Sequence, residues 1–285
     1  MSSVPAKVSA RLSAALKRFQ PIISSARARD VNESDTVVIA TDLLSELFGY
    51  DKYHEITSEQ VIRGTYCDLA IKVDGKDQFI IEVKAIGLDF KEGHIKQAVD
   101  YAANKGVDWV ILTNAMLWRV YCVGFGKPIT ADVVMEIDLL SINPRSASSL
   151  EPLYFLSREG LQKSALTEYH VQRQATNRFV LGAVILSDPL IQVLRRELRR
   201  ISPDVKIGID ELKAAVSQEV LKREVVEGVE AESARKRVQK AAGRALKAKR
   251  PAQPPKNAPT ESPTPQAEAE CEPEQDSTVE QAQDE

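Results

Sequence analysis

Two runs of β-branched, aliphatic and aromatic residues flank a short polar turn, and this pattern constrains the fold more than any other feature. The first run covers residues 64–73, the second covers residues 78–86, and Asp74 and Gly75 lie between them. Asp-Gly between two such runs is one of the strongest short-range signals of a β-hairpin. Both faces of the second run are mostly apolar, which predicts a strand that is covered on both sides.

This covered strand carries charges. Glu82 and Lys84 are two residues apart and therefore point to the same face. Burying an ion costs several kcal/mol, which is a large part of the marginal stability of a domain. We therefore expect the two charges to have a functional use. The alternative is a salt bridge of Lys84 with Asp68 or Glu82 that serves packing alone.

The register of the hairpin decides whether Asp68 joins this pair. Asp68 lies opposite Glu82, on the same face, if residues 74–76 form a three-residue loop. A loop one residue shorter or longer would place the two carboxylates on opposite faces. The sequence leaves the register open. We adopt the three-residue loop because it is a common class that brings both carboxylates together with Lys84.

Two convergent carboxylates form a site for a small divalent cation. Their hard oxygens suit Mg²⁺, and the backbone carbonyl of Val83 could supply another oxygen ligand. Lys84 beside the cation could orient or deprotonate a water and offset the charge that develops on a phosphorus under attack. The hairpin therefore predicts a Mg²⁺ site whose ligands are Asp68, Glu82 and Val83.

The order of these residues is similar to a known signature. Asp68 followed by Glu82-Val83-Lys84 resembles the Asp…(Asp/Glu)-x-Lys motif of the PD-(D/E)XK nuclease superfamily. Cys67 stands where that superfamily often has proline. The predicted order of elements (helix, three strands, helix, strand) also resembles its fold.

Further segments resemble one branch of the superfamily, the N-terminal nuclease domain of type I restriction enzyme R subunits. Residues 97–101 resemble its Gln-x-x-x-Tyr motif, and residues 53–57 and 62–65 are also similar to it. Glu33 resembles the acidic residue on the first core helix of that family. The likeness covers roughly residues 30–125.

The resemblance implies a restriction-endonuclease-like α/β core, a mixed central sheet flanked by helices, that hydrolyses DNA phosphodiesters with Mg²⁺. It implies three further catalytic residues beside Asp68, Glu82 and Lys84, namely Glu33, Gln97 and Tyr101. The sequence contains no Gly-x-x-x-x-Gly-Lys-Ser/Thr phosphate loop, so the cleavage coupled to a helicase motor in type I systems is not implied.

Two other functions remain open. The first is a DNA-binding or defence accessory protein that keeps the nuclease fold with weak or no turnover. The second is an interaction scaffold in which the hairpin charges form only a salt bridge and the C-terminal helices bind a protein partner or a second copy of the chain.

The composition is that of a soluble domain. The net charge is −3, but residues 251–285 hold nine acidic residues and one lysine, which leaves about +5 for residues 1–250. A mildly basic body is compatible with a nucleic-acid partner. Three cysteines without metal-ligand spacing, and the absence of an 18-residue apolar run, favour a cytoplasmic protein with no membrane span.

Apolar periodicity predicts the other elements. These are helices over 8–19, 32–48 and 88–104, strands over 52–57, 107–113, 117–123 and 128–140, and helices over 150–161, 165–173, 177–187, 188–200 and 209–226. We predict an N-terminal helix in 1–29, a nuclease-like domain over 30–145, a helical module over 146–228, a basic arm over 229–250 and a disordered acidic, proline-rich tail over 251–285. The arm has few apolar residues, which predicts a flexible or weakly helical segment.

A cluster of arginines lies in the predicted helix 188–200. Arg195, Arg196, Arg199 and Arg200 fall within six residues and could contact nucleic-acid phosphates. A solvated helix face is the alternative interpretation.

Overall fold

A computed structural model of the protein describes residues 4–62, 65–204 and 206–248. The predicted acidic tail, 251–285, lies outside the described residues. The strands are β1 (Ile56–Ile62), β2 (Thr65–Val73), β3 (Lys76–Val83), β4 (Trp109–Thr113), β5 (Leu117–Gly124) and β6 (Thr130–Asp138). The helices are α1 (Ala6–Ala28), α2 (Glu33–Asp42), α3 (Lys96–Lys105), α4 (Ala147–Leu156), α5 (Arg158–Gln162), α6 (Ala165–Ala175), α7 (Arg178–Ile185), α8 (Asp188–Ile201), α9 (Ile209–Ala215), α10 (Arg223–Val226) and α11 (Val229–Ala248).

The six strands form one mixed sheet flanked by helices, so the expected α/β class is confirmed. The strand order follows the chain, β1-β2-β3-β4-β5-β6. All neighbouring strands pair antiparallel except β3 and β4, which pair in parallel. The connection between these two parallel strands contains α3, because a parallel pair needs a crossover.

Helices cover both faces of the sheet, which explains why β3 is apolar on both sides. On one face, Leu69, Ile71, Phe79 and Ile81 pack with α1, α2 and α4 in the larger core. On the other face, a smaller core is formed by α3 and by strand residues that include Ile80. Alternation along β3 therefore sends its side chains into two different cores.

The larger core continues past the predicted boundary at residue 145. It contains Leu150, Leu153 and Leu166 together with residues of α1 such as Leu12 and Leu16. Helices α4 and α6, which follow the sheet in the chain, thus pack on the same face of the sheet as the N-terminal helix α1.

The turn of the β2–β3 hairpin differs from the expected three-residue loop. β2 ends at Val73 and β3 begins at Lys76, so Asp74 and Gly75 form a two-residue turn. Both have positive φ, 51° and 75°, as a type I′ turn requires. Asp74 tolerates this conformation better than most residues and Gly75 adopts it without steric cost.

A β-bulge compensates for the shorter turn. Next to the turn Lys72 pairs with Asp77, whereas further along Ile71 pairs with Phe79, so Gln78 is an extra residue on β3. One extra residue reverses the faces of all residues beyond it. The predicted alignment of Asp68 with Glu82 is thereby restored by a different route.

Several predicted boundaries in the N-terminal half are wrong, and each has a local cause. The predicted strand 52–57 begins only at Ile56, because the Asp51 carboxylate accepts backbone hydrogen bonds from Tyr53 (2.9 Å) and His54 (2.8 Å) and holds a turn. The predicted helix 8–19 extends to Ala28, because buried residues continue beyond Pro21. The predicted helix 32–48 begins as expected after Asn32 but changes to a π-helical turn over Leu43–Leu47.

The predicted helix 88–104 is shorter than expected. Residues 84–91 form an irregular segment, a 3₁₀ turn covers Glu92–Ile95, and the α-helix begins at Lys96. Asn114 holds the irregular segment by donating hydrogen bonds to the carbonyls of Ile86 (3.1 Å) and Leu88 (3.3 Å).

Helices of the C-terminal part also break more often than predicted. The helix expected over 150–161 is interrupted at Ser157, which caps α5 by accepting a hydrogen bond from Gly160 N. The helix expected over 209–226 is interrupted at the extended residues Leu221 and Lys222.

The predicted basic arm is more ordered than its composition suggested. Most of it forms α11, which packs against α7. Ala231 and Ala234 are buried in this contact. Small alanine side chains let two helix backbones approach closely, so a helix with few large apolar residues can still pack. Within the described residues, no helix is both long enough and apolar enough to cross a membrane.

We predict that Gly75→Ala destabilises the protein by about 1 kcal/mol, because an L-residue in the left-handed region is strained by roughly this amount. No atom lies within 4 Å of an added Cβ at Gly75, so the loss would be a backbone effect alone. Urea unfolding measures it. Gly93→Ala is the matched control, because Gly93 has equally open space without a positive φ. An equal loss in both variants would contradict the assigned turn.

Candidate functional site

Asp68 and Glu82 lie opposite each other at one end of the β2–β3 ladder. The last backbone pair of that ladder is Leu69 with Ile81, and Asp68 and Glu82 are the next residue on each strand. Alternation from Ile80, which belongs to the smaller core, places Glu82 on the α3 side of the sheet. Cys67 and Ala70 both belong to that core, so β2 does not alternate regularly around Asp68.

Asp68 also takes the place of a backbone partner. The amide of Val83 donates a hydrogen bond to Asp68 Oδ2 at 2.6 Å, where a regular ladder would supply a carbonyl. The amide of Lys84 instead points to β4 and donates to Thr113 O at 2.8 Å. N–H and C=O of one strand residue point to the same side, so the Val83 carbonyl points towards β2, the strand that carries Asp68.

Lys84 lies between two acidic residues. Its Nζ is 2.7 Å from Glu82 Oε1 and 3.5 Å from Glu33 Oε2. Glu33 opens α2, whose N-terminus is capped by Asn32 through a hydrogen bond from Asp35 N. The predicted salt bridge of the hairpin charges is therefore present, and it includes Glu33 from a different element.

Burial and charge act together on this cluster. Glu82 is 7% exposed, and burial raises its pKa, opposed by the hydrogen bond from Lys84 and supported by the charges of Asp68 and Glu33. Burial acts against the charged form of Lys84, but its hydrogen bond to Glu82 and the nearby carboxylates outweigh this, and the pKa of Lys84 is raised. Lys84 is thus an ammonium at neutral pH.

Three carboxylates face one ammonium, so the cluster has an excess of negative charge. Among the described residues, no group of three or more His, Cys, Asp and Glu side chains is arranged to hold a metal ion. A cation here would use Asp68, Glu82 and the Val83 carbonyl, with water completing its shell. Mg²⁺ keeps several waters and is usually bound through one or two carboxylates, so this donor set fits it.

Gln97 and Tyr101, predicted beside the site, are in different environments. Lys105, at the end of α3, forms an ion pair with Asp77, near the start of β3, at 2.8 Å. The helix therefore runs antiparallel to β3. Gln97 is exposed in the first turn of α3, towards the Glu82 end of the strand.

Tyr101 is fully buried one turn further along α3. Burial, and next the Cys67 thiol, raise the pKa of its hydroxyl. The Lys105 Nζ atom lies 5.9 Å from the centre of its ring. Tyr101 therefore packs on the strand that carries Asp68, beside the neighbouring residue Cys67. Gln97 thus lies at a solvent-exposed position of α3, whereas Tyr101 is part of the core.

The arginine cluster lies on α8, which packs against α7 and α9. Arg196, Arg199 and Arg200 are exposed and Arg195 is half-buried. Glu197 accepts hydrogen bonds from Arg196 (3.2 Å) and Arg200 (2.8 Å). One carboxylate thus offsets part of the charge, and anion contact by this cluster stays a prediction.

Asn114 is a site-supporting residue that sequence reasoning did not find. It is 1% exposed, and its two side-chain hydrogen bonds hold the segment that follows Lys84. Its own Oδ1 accepts from Leu117 N at 2.8 Å. An Asn in a tight turn between two apolar strands was the available signal, but turn formation alone explained it.

No protein-family model, curated protein or solved structure matches this chain.

We predict a pH-dependent stability effect of Glu82→Gln. A raised pKa in the folded protein contributes stability that is present below the pKa of the unfolded chain and is lost as pH rises through the folded pKa. The unfolding free energy of the wild type, relative to Glu82→Gln, should therefore fall as pH rises above about 4.3, the pKa of glutamate in an unfolded chain. Urea unfolding across this range measures the difference.

Glu159→Gln provides the control of opposite sign. The hydrogen bond from Arg11 lowers the pKa of Glu159, so stability contributed by Glu159 is lost as pH falls. The unfolding free energy of the wild type, relative to Glu159→Gln, should therefore increase as pH rises. Parallel pH profiles for the two variants would contradict the electrostatics of the Glu82 cluster.

Proposed function

We propose that this protein is a Mg²⁺-dependent DNA endonuclease of the PD-(D/E)XK superfamily, similar to the nuclease domain of type I restriction enzyme R subunits. The observation that carries the proposal is the meeting of Asp68 and Glu82 at one end of the hairpin, where Asp68 accepts a hydrogen bond from Val83 N and the ammonium of Lys84 lies on Glu82. The mixed sheet, with its parallel β3–β4 pair joined through α3, supports the proposed fold family.

Asp68, Glu82 and the Val83 carbonyl would hold the cation. Mg²⁺, when bound, would polarise the scissile phosphodiester and lower the pKa of a water. Asp68 is kept in place by its hydrogen bond from Val83 N, which fixes it on the strand next to the carbonyl that completes the donor set.

Lys84 would act as a cation. Because its pKa is raised, it holds its proton at neutral pH and suits electrostatic stabilisation of the phosphorus under attack better than removal of a proton from water. Substrate binding would draw Lys84 away from Glu82 and towards a phosphate oxygen, while Glu33 keeps it close to the site.

Glu33, Gln97 and Tyr101 would have supporting roles. Glu33 positions Lys84 through their 3.5 Å contact. Gln97, exposed at the start of α3, is available to a phosphate or a water. Tyr101 supports the β2 strand beside Asp68 through its contact with Cys67.

We expect the purified protein to nick supercoiled plasmid DNA in Mg²⁺, and Asp68→Asn, Glu82→Gln and Lys84→Met each to lower the rate by about 100-fold or more. Asn is chosen at position 68 because its side-chain oxygen can still accept from Val83 N, whereas Ala would leave that amide unpaired at a cost of about 1–3 kcal/mol. Gel electrophoresis of the plasmid measures the rate.

Asp77→Asn and Lys105→Met are the matched controls. They remove an acid–lysine pair of 2.8 Å at the opposite end of the same strand, and they should nick as the wild type does. Equal nicking by the site variants would assign the activity to a contaminant and end the proposal.

Mg²⁺ should also raise the melting temperature of the wild type but not that of Asp68→Asn/Glu82→Gln. A cation at 100 times its dissociation constant stabilises the folded state by about 2.7 kcal/mol. Differential scanning fluorimetry across a Mg²⁺ titration measures the shift. Ca²⁺ and Na⁺ titrations at matched ionic strength separate site binding from general screening. Equal shifts in both proteins would show that the carboxylate pair is not the metal site.

The second candidate is a protein of this fold that binds DNA without cutting it. The Glu82–Lys84 ion pair favours it, because a salt bridge already satisfies both charges in the absence of a cation. It predicts salt-sensitive DNA binding that survives in Asp68→Asn/Glu82→Gln, with no nicking by the wild type.

A further inference from the structure

A row of paired residues crosses the sheet at the level of the carboxylate pair. Glu82 of β3 pairs with Leu112 of β4, Leu112 pairs with Arg119 of β5, and Arg119 pairs with Glu136 of β6. Residues in register share a face. Arg119 therefore lies on the same face of the sheet as Glu82, two strands away from it.

Neighbouring side chains hold Arg119 in place. Its Nε donates to Glu136 Oε2 at 2.5 Å across the β5–β6 pair. Its guanidinium carbon lies 5.4 Å from the centre of the Phe90 ring, in the segment that follows β3. The side chain is 28% exposed. An arginine held in this way loses less conformational entropy when it binds a ligand than a free surface arginine does.

The spacing suits a nucleic-acid backbone. Two strand intervals separate the Glu82 and Arg119 backbones by about 10 Å, twice the 4.7–4.9 Å between adjacent strands. The long arginine side chain can shorten this distance. Leu112, between the two residues, is fully buried, and Phe90 packs against the same core, so the row carries no competing charge between Glu82 and Arg119.

We infer that Arg119 binds the phosphate next to the scissile one on the DNA strand held at the Asp68–Glu82 pair, an inference that rests on the proposed function. Glu136, which accepts a hydrogen bond from Nε, and Tyr121, which also hydrogen-bonds Arg119, hold the guanidinium in place. The planar guanidinium offers two parallel donors to phosphate oxygens, which a lysine at this place would not. Arg119 thus aligns the DNA strand so that one phosphodiester lies at the carboxylates.

A cross-strand ion pair is the competing explanation. Such a partly exposed pair contributes little to stability, and it predicts no effect of Arg119 on DNA binding. The two explanations therefore differ in a measurable quantity, the number of phosphate contacts that depend on Arg119.

The test is fluorescence anisotropy of a short fluorescein-labelled DNA duplex, in EDTA so that nothing is cut, over a range of NaCl concentrations. Arg119→Ala should weaken binding about ten-fold, the usual size of a lost hydrogen bond to a charged group. It should also reduce the slope of log K against log salt by about 0.9, the value for one phosphate contact. Arg119→Lys should keep the slope, because its charge is retained.

Arg18→Ala is the matched control. Arg18 is also paired with a glutamate, Glu46, but it lies on α1, which covers the opposite face of the sheet. Its removal should leave affinity and slope unchanged. Melting curves confirm that each variant is folded.

Each outcome has one meaning. Wild type that binds and nicks DNA, with Arg119→Ala unchanged in affinity and slope, overturns this inference and leaves the proposed function standing. Equal losses in Arg119→Ala and Arg18→Ala, or a slope lost in Arg119→Lys, also overturn it. Wild type that fails to bind the duplex and fails to nick plasmid overturns the inference together with the proposed function.

Discussion

The candidate site depends on the register of one hairpin. A two-residue type I′ turn alone would place Asp68 and Glu82 on opposite faces of the sheet, because the side-chain period of a strand is two residues. The bulge at Gln78 adds one residue to β3 and brings the two residues back opposite each other. The Asp68–Glu82 pair follows from this single extra residue, whereas the alignment of Arg119 with Glu82 follows from the registers of β3, β4 and β5.

The electrostatics of the site explain how charges are tolerated in a covered strand. Lys84 neutralises Glu82 at 2.7 Å and contacts Glu33 at 3.5 Å, which offsets part of the cost of burying these charges. One ammonium does not balance three carboxylates, however. Burial, together with the charges of Asp68 and Glu33, raises the pKa of Glu82. A divalent cation, if bound as proposed, would relieve this excess of negative charge.

Sequence reasoning succeeded where a local pattern decides structure. It located the hairpin and the Asn32 cap, and alternation correctly assigned the two faces of β3. It was less accurate where packing overrides a local signal. Pro21 does not end α1, because the stripe of buried residues continues to Ala26. The composition of α11 predicted a weakly helical segment, but the helix has buried alanines and packs against its neighbours. Tyr101 and Gln97 share a helix face in the sequence pattern, yet the structure buries one and exposes the other.

The amino-acid sequence by itself determined which chemical groups occur on the hairpin and how they are spaced along each strand, because these follow from the turn signal and the two-residue period. Only the tertiary structure decided that Glu33 meets Lys84, that Asn114 holds the segment after β3, and that Arg119 shares a row with Glu82. These contacts join residues distant in the chain. Their geometry depends on strand register and helix packing, which no local pattern of residues encodes.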